Sequence, residues 1–114
     1  MSFDYPELIG QLNDEERLRF YEILAVNITV NIRAVWSDDN LPDAHKVEGM
    51  KCLNEIMHMI VHKSAALRLG RNRVSEEELW GRIKHWVSLS PTIGAHVMWA
   101  IKTSYTWCVR QRGV

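Results

Sequence analysis

A chain of 114 residues, 46% hydrophobic and 25% charged, is long enough to bury one core and too apolar to be disordered. Its 14 lysines and arginines match 14 aspartates and glutamates, so the formal charge is +0 and the total gives no general attraction to nucleic acid or anionic lipid. Any such affinity needs a local patch, and no apolar run of about 18 residues offers a membrane span.

Asp4 and Pro6 start a short helix that ends near Gly10. Asn13, followed by Asp14, Glu15 and Glu16, is a second start signal with a capping-box residue three positions on. From there Leu18, Tyr21, Ala25, Ile28, Ile32 and Val35 recur at three- and four-residue spacing, which predicts a helix to about Trp36. Inside that stretch, residues 26–32 read V-N-I-T-V-N-I and alternate as a half-buried strand would. Helix is the better reading, because no turn separates this stretch from RLRFYEILA and no other segment offers a partner strand.

The turn formers of SDDNLPD, residues 37–43, break the chain, and Asp43 is placed to cap a helix that stops at Gly70. On this helix Met50, Leu53, Ile56, Met57, Ile60, Val61 and Leu67 form the expected core face, with Lys51, Glu55, His58 and His62 opposite. Ser75 with Glu78 marks the next start, and Leu79, Trp80, Ile83, Trp86 and Val87 share one side of that helix. Ser90-Pro91 opens the last helix, which runs to about Arg110, and Gly94, Ala95 and Ala100 allow it a close approach to a neighbour. Short connections make successive helices antiparallel. The prediction is an all-α fold, an up-down four-helix bundle with a short extra N-terminal helix, in a single helical domain over residues 1–114.

The last helix is apolar nearly all round. Ile93, Val97, Ile101, Tyr105 and Cys108 occupy one face, and Trp99, Ala100, Thr103 and Trp107 another. A second apolar face on so small a domain suits a partner. The expected function is therefore a protein–protein interaction or regulatory module acting as a homodimer, with Trp99, Thr103, Trp107 and Trp36 at the interface; a distinct protein partner also fits.

Two other readings compete. Glu55, His58 and His62 have helical neighbour spacing and could hold a divalent ion such as zinc or iron, the one cofactor the sequence suggests. The order ExxHxxxH is not the HExxH of zinc proteases, and a di-iron bundle would need a second Glu-x-x-His, supplied only by a second subunit, with Glu22 or Glu48 as extra carboxylates. His62, His85 and His96, from three helices, are another combination. Arg68, Arg71 and Arg73, with Lys63, Arg82 and Lys84 around them, form a basic cluster suited to phosphate. The three glutamates opening the next helix would repel a DNA backbone, so nucleic acid is the weaker fit.

Cys52 and Cys108 lie far apart in no CxxC motif, and the opening MSFDYPELIG lacks the basic start and apolar run of a signal peptide. Reduced thiols in a cytoplasmic protein are the expectation, with no membrane partner. No nucleophile–base pair or Gly-rich phosphate loop occurs, so no enzymatic activity is assigned.

Overall fold

The computed structural model describes residues 5–70 and 75–112, apart from the side chains at 91 and 92. Every regular element among them is a helix: α1 (Tyr5–Gly10), α2 (Asp14–Trp36), α3 (Asp43–Arg68), α4 (Glu76–Leu89) and α5 (Pro91–Gln111). None is long and apolar enough to cross a membrane.

Local chemistry sets the ends. The Asn13 side chain accepts from the Glu16 N–H at 2.8 Å while the Glu16 carboxylate accepts from the Asn13 N–H at 3.1 Å, completing the expected capping box of α2. Gly70 adopts φ 68°, the left-handed conformation that stops α3 with least strain when the residue is glycine. Ser90 caps α5, its hydroxyl accepting from Ile93 N–H. Two expected caps differ. Asp43 is already the first helical residue of α3, and Pro42 stands at the cap with no side-chain hydrogen bond, because its ring fixes φ at −59° just where the chain enters the helix. Ser75 caps α4 by accepting from Glu78 N–H at 3.0 Å, but the Glu78 carboxylate takes Arg82, 3.2 Å away, in an i,i+4 pair.

The long helix α2 lies between α3 and α5, and α4 packs mainly on α5 with further contacts to α1 and α3. Residues of all five helices or their links enter one core, including Ile9, Leu24, Ile28, Leu53, Ile83 and Ile101. Complete burial of each such side chain contributes about 1.5–3 kcal/mol of transfer free energy. Because α2 is covered on two sides, it buries Phe20, Leu24 and Asn31 as well as Tyr21, Ile28 and Val35.

The core face of α3 is rotated from its predicted position. Val61, expected inside, is 49% exposed, while Cys52 and Lys63 are buried. The reason is that α3 meets α2 on one flank and α4 and α5 on the other, centring burial on Leu53, Ile56 and Ile60. Val61, about 100° round the helix from Ile60, falls outside that arc.

Candidate functional site

The seam between α2 and α5 is polar at its centre. Asn27 Nδ2 donates to Ser104 Oγ at 2.9 Å, and the buried Ser104 hydroxyl donates to Ala100 O at 2.7 Å. Asn31 Nδ2 donates to Asn27 O at 2.8 Å, leaving Asn31 Oδ1 as the acceptor that faces His96 Nδ1 at 2.7 Å. His96 is thus placed with its proton on Nδ1. Asn27 meeting Ser104, and Asn31 meeting His96, make α2 and α5 antiparallel.

This seam also accounts for the strand-like alternation. At about 100° per residue, the asparagines of V-N-I-T-V-N-I point at α5 and Ile28 points into the core. Val26 and Val30 lie on the outer side of the asparagines, away from the core, and are 62% and 50% exposed. The same geometry repeats on α5. Trp99 and Trp107 each stand three residues after a seam residue, His96 and Ser104, and so turn outward, at 49% and 43% exposed. Thr103, also exposed, lies between them. Two tryptophans eight residues apart span about 12 Å of helix axis. The outer flanks of α2 and α5 therefore form one open apolar strip along the seam.

Trp36 is exposed too, but does not join this strip. It lies about 120° round α2 from Val30, on the flank toward α3. Of the four expected interface residues, the fold brings three together.

The unpaired charge along this face is positive, because the carboxylates that adjoin it on α2, Glu15, Glu16 and Glu22, are paired with Arg19, Arg112 and Arg68. All 14 acidic residues lie outside 23–36 and 91–112; besides Arg112, which pairs with Glu16, three cations lie within these segments, Arg33, Lys102 and Arg110, all exposed. None of the three is ion-paired among the described residues. Each follows an apolar residue of the strip by three positions: Val30 and Arg33, Trp99 and Lys102, Trp107 and Arg110. Helical neighbours at that spacing adjoin, so the cations rim the strip.

The expected basic cluster is mostly neutralised where it is described. Arg68 Nη2 pairs with Glu22 at 2.7 Å, Arg82 pairs with Glu78, and Lys63 is buried with its Nζ 3.4 Å from Glu76 Oε1. Arg71 and Arg73 lie outside the described residues.

Lys63 belongs instead to a buried ionic centre that the sequence reading did not anticipate. Glu76, the first residue of α4, accepts hydrogen bonds at Oε2 from the Tyr21 hydroxyl and from Trp80 Nε1. Its other oxygen faces Lys63 and, at 3.6 Å, Arg17 Nε. Arg17 in turn donates through Nη2 to Leu12 O at 3.0 Å and Gly10 O at 3.3 Å. One carboxylate thus ties together the end of α1, the first turns of α2, the third helix and the start of the fourth. Burial, and then the Glu76 carboxylate, push the Tyr21 phenol far above its ordinary range, so it remains a donor. A signal existed: Ile56, Ile60, Lys63 and Leu67 share one 4-3-4 stripe, which puts Lys63 on the core side.

Glu55, His58 and His62 are exposed on the outer side of α3, as expected. Only the two histidines line the groove of about 270 Å³ between α3 and α4, with Met59, Leu79, Glu78 and Arg82. No group of three or more His, Cys, Asp or Glu side chains among the described residues is gathered closely enough to hold a metal ion. His85 and His96 sit elsewhere, the latter committed to Asn31.

A second cleft, of about 640 Å³, opens between the first half of α3 and the α4–α5 junction, with Leu41, Trp86, Leu89 and Ile93 among its walls. Cys52 lines it, its Sγ 4.0 Å from Trp86 O, and burial pushes the thiol up to about 11. Burial raises the Cys108 thiol as well. Both cysteines are free, and neither is poised as a thiolate nucleophile. No family model, curated protein or solved structure matches the chain.

Proposed function

We propose that the protein is an interaction module whose working surface is the outer face of the α2–α5 pair, within an up-down arrangement of its four longer helices. The observation that carries this reading is the strip itself. Val26 and Val30 on α2 and Trp99 and Trp107 on α5 remain exposed along the outer flanks of the seam, in a chain that buries nineteen other hydrophobic residues. Exposed aromatics and valines clustered on one face are the mark of a surface that is covered in use. The polar seam beneath holds the two helices in register and so presents the strip as a rigid platform.

One form such a module can take is a homodimer in which two copies cover each other's strip. Sedimentation of the full chain tests that form. A dimer whose monomer fraction rises in Trp107→Ala supports it, and a monomer at every concentration removes the second copy as occupant. The wider reading fails if Trp107→Ala and Val30→Asp alter neither self-association nor binding to any partner probe.

A further inference from the structure

Resting on that reading of the α2–α5 face, we infer that its partner is an acidic amphipathic helix of another protein rather than a second copy of this chain. The argument is the charge around the strip. Arg33, Lys102 and Arg110 rim the apolar residues, and neither α2 from residue 23 onward nor any part of α5 contains a carboxylate. A total charge of +0 hides this segregation: the balancing acids lie on α1 and just before it in sequence, on the first turns of α2, on α3 and its preceding loop, and on the start of α4.

A second copy would bring only the same unpaired cations to the interface, the adjoining carboxylates being already committed to Arg19, Arg68 and Arg112, and like charges gathered across an interface are costly. A partner helix solves both requirements at once. Two antiparallel helices leave a shallow groove over their seam, and a third helix packs into it by the ordinary ridge-and-groove geometry. Its apolar stripe, at i, i+3, i+4 and i+7, would lie over Val30, Trp99 and Trp107. Glutamates or aspartates on its flanks would reach the three cations. Three cations are fewer than the four to eight basic residues that mark an anionic-lipid site. They are also interrupted by valine and tryptophan, not arranged along a continuous phosphate track.

The test uses the full chain and three probes. One is a synthetic peptide with leucines at helical stripe spacing and glutamates on both flanks. The second carries lysines in place of those glutamates, and the third is a vesicle of equal parts phosphatidylcholine and phosphatidylserine. Calorimetry and tryptophan fluorescence report binding, and circular dichroism confirms that each variant is folded. The acidic peptide should bind, weaken with salt, and weaken about tenfold for each of Lys102→Glu and Arg110→Glu. The double variant Lys102→Glu/Arg110→Glu should prefer the lysine peptide, a reversal that a merely structural role for these residues does not produce. Absence of acidic-peptide binding, or equal binding of both peptides, overturns the inference. Self-association or vesicle binding through the strip, lost in Trp107→Ala, overturns it too, yet leaves the interaction face standing. If no probe binds and the chain stays monomeric, the reading of the face itself fails.

Discussion

Lys63 Nζ and Glu76 Oε1 lie 3.4 Å apart across the α3–α4 junction, the lysine side chain fully buried and the carboxylate mostly so. The pair is asymmetric. Glu76 also receives the Tyr21 hydroxyl and Trp80 Nε1 and faces Arg17, so one carboxylate serves four neighbours. Removing it costs more than removing any one of them, because cations and donors are left in the interior without their common acceptor. Glu76→Ala should destabilise the fold by about 3 kcal/mol or more, read as a fall in the urea midpoint. Lys63→Met, which keeps the volume and leaves Glu76 its other neighbours, should cost about 1 kcal/mol or less. Equal losses from the two substitutions would show that the lysine, not the carboxylate, is the organising group.

Two glycines of the α4–α5 pair should respond in opposite directions to alanine. A Cβ at the buried Gly94 would stand 3.0 Å from both the Val87 carbonyl oxygen and Val87 Cγ1, and a backbone oxygen has little freedom to retreat. A Cβ at the exposed Gly81 meets nothing within 4 Å. Gly81→Ala should therefore gain about 1 kcal/mol from helix propensity alone. At Gly94 the same gain is outweighed by overpacking of about 1–3 kcal/mol, so Gly94→Ala should lower the thermal midpoint. A rise in both variants would mean that α4 and α5 are free to move apart.

Much of this architecture is legible in the residues, because caps and stripes are local signals. Asn13 with Glu16, Gly70, and Ser90 with Pro91 mark helix ends through chemistry confined to one turn. The core face of α3 was harder to place, since its true centre depends on which two neighbours flank it, and that is tertiary information. Val61 and Lys63 exchange expectation for this reason: the hydrocarbon stays at the surface, and the ammonium goes inside because Glu76 waits on another helix. The strip on α5 follows from Trp99, Thr103 and Trp107 at four-residue spacing. Its continuation onto α2 through Val26 and Val30 does not, because the strand-like alternation conceals which side of α2 meets α5. The position of the positive face was missed for a related cause. Clustering in sequence singles out residues 68–73, whereas the common face of Arg33, Lys102 and Arg110 exists only once α2 and α5 are packed together.

The clasp between Glu16 and Arg112 should make stability depend on acid. Arg112 donates to both oxygens of Glu16, through Nε and, at 2.8 Å, through Nη2, joining the end of α5 to the first turn of α2. That guanidinium, with the Asn13 N–H, holds the Glu16 carboxyl down to about 2, from an ordinary value of 4.5. A carboxyl more acidic when folded stabilises the fold fully above its ordinary value, and the contribution disappears as pH falls toward the folded one. Glu16→Gln keeps a residue able to close the capping box while removing the charge and one of the two acceptors that Arg112 uses. The thermal midpoint of the native chain should exceed that of Glu16→Gln near neutral pH, with the gap closing between about 4.5 and about 2. A gap constant across that range would show that the clasp contributes nothing through its charge.

The Asn31–His96 contact offers the sharpest test of the polar seam beneath the proposed interaction face. Asn31 is 5% exposed, and its carbonyl oxygen lies 2.7 Å from His96 Nδ1 while its amide binds Asn27 O. Truncating Asn31 removes a buried amide that serves both Asn27 O and His96, so Asn31→Ala should cost about 1–3 kcal/mol. His96→Ala strands the Asn31 oxygen and should cost about 1 kcal/mol, being the less buried side. Because each single change already breaks the same hydrogen bond, the double variant should be less destabilised than the two losses added together, with a coupling of about 1 kcal/mol. Urea denaturation of the four proteins in the cycle measures that coupling. Losses that add to within about 0.3 kcal/mol would mean that the Asn31–His96 bond does not tie α2 to α5, leaving Asn27 and Ser104 as the polar link of the seam. The platform beneath the proposed interaction face would then be fixed in register at one point on the seam, not two.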